Sequence, residues 1–211
     1  AVMKELESLL HLDEITVTGK TVRENIKDVK VSEVYRDIIR PFEDPLHQDG
    51  GIAVLRGNLA PNGAVIKPKA ASKHLLKHKG RAVVFTSPQD MEKRVHDPEL
   101  DITEKDIMIL QNAGPVGAPG MPEAGMLPIP EKLLRQGVRD MVRISDARMS
   151  GTAFGTVVLH VAPESAIGGP LGLVRTGDLV EIDVENRKLE LHVSEDELER
   201  RRAEFKPPVV E

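Results

Sequence analysis

The residues with the clearest chemical character sit in two short segments, each leaving an apolar run. The first reads Asn112-Ala113-Gly114-Pro115-Val116-Gly117-Ala118-Pro119-Gly120-Met121-Pro122-Glu123 and follows a run ending at Leu110. Proline has no N–H to offer a ladder and glycine no side chain to pack, so at this density the backbone must turn repeatedly at the strand's end. Glu123 is the only ionisable side chain of that loop. A carboxylate carried by a stiff loop suits a hard cation such as Mg²⁺, which takes oxygen ligands. An exposed, solvated acidic loop is the other reading of the same residues.

The second segment is Arg143-Ile144-Ser145-Asp146-Ala147-Arg148-Met149-Ser150-Gly151-Thr152-Ala153-Phe154-Gly155. Ser150 precedes Gly151, a neighbour small enough to let a substrate approach the hydroxyl and nearby backbone N–H groups. Alternatively, Ser150 and Thr152 only satisfy a turn or cap a helix. No His and Asp stand at the spacing of a serine-hydrolase triad. Among weaker features, Gly50-Gly51 and Gly57 to Gly63 read as simple turns or as a ligand-facing loop, and Gly168-Gly169-Pro170 and Thr176-Gly177-Asp178 as turns without a dinucleotide fingerprint. His74 and His78 lie one helical turn apart in a Lys-rich stretch, and Glu199-Arg200-Arg201-Arg202 reads as a solvated helix face.

Positioning these segments requires strands. Short apolar runs at Ile52 to Leu55, Ala64 to Ile66, Arg81 to Phe85, Ile107 to Leu110 and Met141 to Ile144 read as buried strands. Three more are expected at Val157 to Val161, Leu179 to Val184 and Lys188 to Val193, the last two joined by a Glu185-Asn186-Arg187 turn. Helices are expected at Pro88 to Val95 and Pro130 to Gly137, and from Ser194 to Phe205, where Ser194 and Glu197 form a capping box. Upstream, Val2, Met3, Leu6, Leu9 and Leu10 have helical spacing, Ile15 and Val17 suggest an extended piece, and Thr21 to Ile26 a helical turn. The fold class is therefore α/β, a mixed β-barrel-like domain flanked by helices. Residues 1–45 form a helix and connection, and residues 46–211 the barrel-like domain. No internal repeat is present.

Composition excludes several classes. With no Trp, one Tyr and four Phe, base-stacking platforms are scarce, and a net charge of −5 gives no footprint for a polyanion, so nucleic acid is not an expected partner. The absence of cysteine rules out disulfides and thiolate metal sites within this chain. No apolar run reaches the length of a bilayer span and the start is no signal peptide, so a cytoplasmic, non-membrane location is expected. The chain opens on Ala1 in what reads as mid-helix, which suggests a missing upstream segment.

Together the two segments resemble the dihydroxy-acid dehydratase family, which includes branched-chain dihydroxy-acid, phosphogluconate and pentonate dehydratases. The resemblance extends from Ala1-Val2-Met3-Lys4-Glu5-Leu6 and Thr16-Val17-Thr18-Gly19-Lys20-Thr21 through Gly50-Gly51-Ile52-Ala53 and Gly57-Asn58-Leu59-Ala60. It continues through His160-Val161-Ala162-Pro163-Glu164 and Gly168-Gly169-Pro170 to Gly177-Asp178. It implies the carboxy-terminal half of a longer enzyme, with a domain like the swivelling domain of aconitase. The absent amino-terminal half would hold an iron–sulfur cluster through its cysteines. The implied reaction removes water from a 2,3-dihydroxy carboxylate, giving an enol that tautomerises to a 2-keto-3-deoxy acid. By the same resemblance Glu123 corresponds to a Mg²⁺ ligand, Ser150 to the base at C2 and Thr152 to a hydroxyl assisting at the leaving group. The implied partners are a small sugar-acid substrate, the amino-terminal half and, at full length, a second copy in a homo-oligomer. Ser145 to Thr152 looks more like the sugar-acid branch, since branched-chain enzymes more often read Gly-Arg-Phe-Ser-Gly here. A branched-chain or phosphogluconate dehydratase, or a free-standing non-catalytic partner-binding module, are the alternatives.

Overall fold

A computed structural model describes residues 1–47 and 50–208. The chain divides into two compact units, Ala1–Gly50 and Gly51–Glu211.

In the first unit the helical spacing at the start resolves into α1 (Val2–Glu5) and a separate 3₁₀ turn, Glu7–Leu9. The single helix expected to Leu10 breaks at Leu6, whose backbone leaves the helical region. Ile15 bridges Thr21, and α2 (Val22–Ile26) starts on a complete capping box, Thr21 accepting from the Glu24 N–H while the Glu24 carboxylate accepts from the Thr21 N–H. Ile26 is the only buried hydrophobic residue among its described positions, whereas Val2, Leu9, Val34, Ile38, Phe42 and Leu46 are all exposed. Several of these line an open groove of about 810 Å³.

The second unit is a closed eight-strand barrel. Its strands are β1 (Ala53–Gly57), β2 (Ala60–Ile66), β3 (Lys77–Phe85), β4 (Ile107–Leu110), β5 (Arg143–Ser145), β6 (Val157–Ala162), β7 (Leu179–Asp183) and β8 (Lys188–His192). They run in the order β1-β2-β6-β5-β4-β3-β7-β8. β3, β4, β5 and β6 are mutually parallel neighbours, while β1 with β2, β2 with β6, β3 with β7 and β7 with β8 are antiparallel. Closure rests on β1 and β8 through the Arg56–Lys188 pairing.

Strand alternation divides the core in two. Val84, Ile107, Ile109, Ile144 and Val158 point into the barrel, whose eight strands leave room for aliphatic side chains and little else. Val83, Phe85, Met108 and Leu110 point outward and pack under α3 (Pro88–Arg94) and α4 (Glu131–Arg135), with Val95, Leu127 and Leu133. All four residues of β4 are consequently buried, the signature of a parallel strand covered on both faces. Burial of each such side chain contributes roughly 1.5–3 kcal/mol.

Further expectations need correction, among them the turn expected over Gly57 to Gly63, where β2 already starts at Ala60 because Ala60 pairs with Gly57 of β1. β3 begins at Lys77, four residues before the apolar run, because Lys77 to Gly80 pair with Asp183 to Val180 and their charges meet acidic partners across the ladder. In α5 (Glu195–Glu204), Arg201 is buried instead of solvated: its guanidinium donates to Asp178, Glu197 and the Leu173 carbonyl. The Asp178 bond is the main reason its pKa is raised. Only half of the expected cap forms there, since Ser194 accepts from the Glu197 N–H while the Glu197 carboxylate turns to Arg200 and Arg201. Among the described residues, no helix is long and apolar enough to cross a membrane.

Candidate active site

Four parallel strands place four carboxyl ends at one rim. The Gly/Pro segment leaves β4 there, the serine segment leaves β5, and Pro163-Glu164 follows β6. The Gly/Pro loop offers its own backbone few regular partners, and two buried carboxylates meet its N–H groups. Asp146, 1% exposed, accepts from Ala113 N at 2.9 Å and from Ser165 N at 2.8 Å, joining three loops. Glu164 accepts from Val116 N at 3.0 Å and from Gly117 N at 3.4 Å. Gly114 is obligatory beneath this contact, because a Cβ there would overlap the Glu164 carboxylate.

The loop so held delivers Glu123 to the surface, its side chain 48% exposed. Its carboxylate accepts from Arg148 Nη1 at 2.6 Å, and Arg148 Nε donates to the Met121 carbonyl, also at 2.6 Å. Arg148 O in turn accepts from Gly125 N at 2.9 Å. The Glu123 loop and the serine segment are therefore zipped together at Arg148. An ion pair this exposed adds little stability, so its consequence is orientation.

Residues 146–156 connect β5 to its parallel neighbour β6, and must run back along the strands to do so. Such a crossover usually contains a helix, but here none forms. The segment lies over the outward pair Val65 and Leu159 of β2 and β6. At its middle, Ala153 N donates to Ser150 O at 3.1 Å, closing a turn. Ser150 Oγ and Thr152 Oγ1 are 3.1 Å apart, and Thr152 N donates to Ser150 Oγ at 3.4 Å. Lys67 Nζ donates to the Gly151 and Ala153 carbonyls at 2.9 and 2.8 Å. At its end the Asp140 carboxylate accepts from Thr156 N and Oγ1, Ser72 N and the buried Arg143. Burial, the largest influence, pushes the Asp140 pKa up, but the bonds from Thr156, Ser72 and Arg143 outweigh it and leave it lowered. Burial likewise lowers the Arg143 pKa, against the opposing pull of Asp140.

Ser150 lines a cavity of about 140 Å³ with Lys67, Met149, Leu159 and His160. That space holds a few waters at roughly 30 Å³ each, and a sugar acid needs a further wall. A larger cavity of about 510 Å³ lies against the Gly/Pro loop, lined by Thr86, Ser87, Asn112, Gly117 and Pro122. Glu123 lines neither of these cavities. It is joined to Ser150 through Arg148 and the crossover backbone.

The donor set does not make a metal centre on its own. Glu123 supplies one carboxylate already paired with a guanidinium, and among the described residues no group of three or more His, Cys, Asp or Glu is placed to hold a metal. With no cysteine in the chain, no thiolate is available for an iron–sulfur cluster. Asp146, Glu164, Arg148 and Lys67 were not singled out by sequence reasoning. Their sequence signal was position: Asp146 and Arg148 lie within the serine segment, Glu164 within the His160–Glu164 stretch that carries the resemblance, and Lys67 directly after a strand.

Comparison with known proteins places the chain in a family. Residues 37–211 match the family described as dihydroxy-acid/6-phosphogluconate dehydratase, C-terminal. An L-arabinonate dehydratase of Rhizobium leguminosarum bv. trifolii is 57% identical over 199 residues, covering 94% of this chain and 34% of the relative. A 6-deoxy-6-sulfo-D-gluconate dehydratase of Pseudomonas putida is 50% identical over 98% of this chain and 36% of the relative. A dihydroxy-acid dehydratase of Ignicoccus hospitalis is 45% identical over 99% and 37%. The chain spans about a third of the length of these curated relatives. It belongs to the dihydroxy-acid/6-phosphogluconate dehydratase family, as that family's C-terminal domain.

Proposed function

We propose that this chain is the carboxy-terminal part of a sugar-acid dehydratase, a hydro-lyase that converts an aldonate to its 2-keto-3-deoxy acid. The observation that carries this reading is the Ser150–Thr152 hydroxyl pair, held on a helix-free crossover that Arg148 ties to the Glu123 carboxylate. Two hydroxyls 3.1 Å apart match a reaction that moves a proton at one carbon and a hydroxyl at the next. Ser150, acting as an alkoxide, would take the C2 proton on Oγ, the C2–H electron pair would form the C2=C3 bond, and the C3 oxygen would leave as hydroxide to a Lewis-acid metal held by the remaining two thirds of the protein, with the Thr152 hydroxyl beside it. Glu123 offers one oxygen toward a Mg²⁺ ion, and the remaining Mg²⁺ ligands and all ligands of an iron–sulfur cluster must come from the remaining two thirds of the protein. The same remainder supplies the missing wall of the Ser150 cavity and covers the exposed apolar side chains of residues 1–50. The sugar-acid branch is favoured over a branched-chain dihydroxy acid because the sugar-acid relatives are the more similar, at 57% and 50% against 45%.

The test uses the full-length, cofactor-loaded protein with a panel of aldonates and a branched-chain dihydroxy acid. Ser150→Ala should lower kcat by ~10²- to 10⁴-fold with little change in KM, as expected for loss of a general base. Solvent deuterium should no longer enter C2. Near-normal C2 exchange in Ser150→Ala would remove Ser150 from the role, and turnover of the branched-chain acid alone would overturn the substrate class.

A further inference from the structure

A crossover without a helix leaves its carbonyls without the partners a helix would supply, and at this barrel one side chain takes over that task where the two hydroxyls sit. We propose that Lys67 is a positioning residue for the Ser150–Thr152 pair. The proposal rests on the reading of those hydroxyls as substrate-facing. Lys67 Nζ spans Thr152, donating to the carbonyl before it and the carbonyl after it, those of Gly151 and Ala153. The Gly151 carbonyl lies in the peptide plane before Thr152 and the Ala153 carbonyl in the plane after Ala153, while the plane between them is held by Ala153 N on Ser150 O, so Lys67 clamps the Thr152–Ala153 stretch at both ends and with it the direction of the Thr152 side chain relative to Ser150.

Lys67 is itself held before it acts. It leaves β2 directly after Ile66, which pairs with Val158 of β6, and it precedes Pro68. Proline disfavours the helical region for the residue before it, and Lys67 is accordingly extended, with φ −98° and ψ 92°. Three residues on, Ala70 O accepts from Gly155 N at 2.8 Å, so the strand that carries the lysine is also tied to the far end of the crossover. An ammonium has three donors, two of which serve the turn, and among the described residues no partner takes the third. Lys67 and Ser150 line the same small cavity, so that donor and the positive charge border the space in front of the serine. Gly151 leaves this side open, since a Cβ at that position would meet nothing within 4 Å.

The experiment compares Lys67→Met, which keeps the aliphatic stem and removes the donors, with Lys67→Arg, which keeps charge and donors. In the chain itself, amide hydrogen exchange at Ala153 should accelerate about 10-fold in Lys67→Met, because two charge-assisted bonds to the turn are lost, with Met108 to Leu110 of β4 unchanged. In the full-length enzyme, kcat should fall by roughly 10- to 100-fold with KM within about threefold, and Lys67→Arg should restore most of both properties. Unchanged exchange at Ala153 would overturn the proposal. So would full kcat in Lys67→Met under conditions where Ser150→Ala has lost its activity. If Ser150→Ala retains activity, the proposed function falls, while exchange at Ala153 still decides whether Lys67 holds the turn. Should β4 lose protection in Lys67→Met, Lys67→Leu, which likewise has no donor, is read by the same criteria.

Discussion

The β3-to-β4 and β5-to-β6 connections solve the same problem, returning the chain along a pair of parallel strands, in opposite ways. The first does so with a helix: α3 satisfies its own backbone and packs Met91 against the outer core cluster, while Arg94 covers the Phe85 ring at 5.3 Å from its centre. The second does so with 11 residues of loop, whose backbone is satisfied piecemeal by Lys67, Asp140 and the Gly125 amide. The contrast shows where a barrel can present reactive side chains. A packed helix hides its inner face in a core, whereas a loop held by side-chain donors leaves hydroxyls at the surface in a fixed geometry.

The largest effect is expected for Phe85→Ala. Fully buried beneath α3, this ring should cost about 3–5 kcal/mol on removal, read as a lowered midpoint in denaturant, because the helical connection depends on apolar burial. A loss under 1 kcal/mol would mean that α3 is held by something other than the outer core. Next comes Gly155→Ala at the end of the loop connection. Gly155 has φ +106°, and a Cβ there would overlap the buried Arg143 guanidinium, so about 2–3 kcal/mol should be lost. Gly151→Ala, four residues earlier and in open space, is the matched control and should be near neutral in stability.

Ser87→Ala separates capping from catalysis. Ser87 caps α3 by accepting from Asp90 N at 3.1 Å, so its loss should cost about 1 kcal/mol of stability. It should leave kcat of the full-length enzyme unaltered, the reverse of what is expected at Ser150. The smallest effect is in acid. Asp183, in the β7–β8 hairpin, has its pKa lowered to about 2, first by the Asn186 side chain and backbone and then by Lys77. A depressed carboxylate stabilises the fold above its unfolded value of about 3.9 and loses that contribution as pH falls through its folded value. Asp183→Asn should therefore flatten the loss of stability between about pH 4 and about pH 2. An unchanged acid profile would mean that other carboxylates govern it.

Where an element depends on neighbours in sequence, the chain alone was enough. The apolar, β-branched runs at Ile107 to Leu110 and Val157 to Val161, the Pro88 start of α3 and the helical turn at Thr21 to Ile26 are all local, since pattern and capping act over a few residues. The sharp turning of the Gly/Pro loop was legible for the same reason; Glu123 and Ser150 stood out in their segments by residue type, while the role expected of Thr152 came only from the family resemblance. What only the tertiary structure decided involves partners far apart in sequence. Barrel closure by Arg56 and Lys188, the polar start of β3, the burial of Arg201 on Asp178 and the grip of Lys67 on a turn more than 80 residues away each depend on where the strands bring the chain. A lysine after a strand looks the same in sequence whether it is solvated or bonded. Its role is set by the carbonyls that β2 and the β5-to-β6 crossover bring within 3 Å of its nitrogen, and those are a property of the closed barrel.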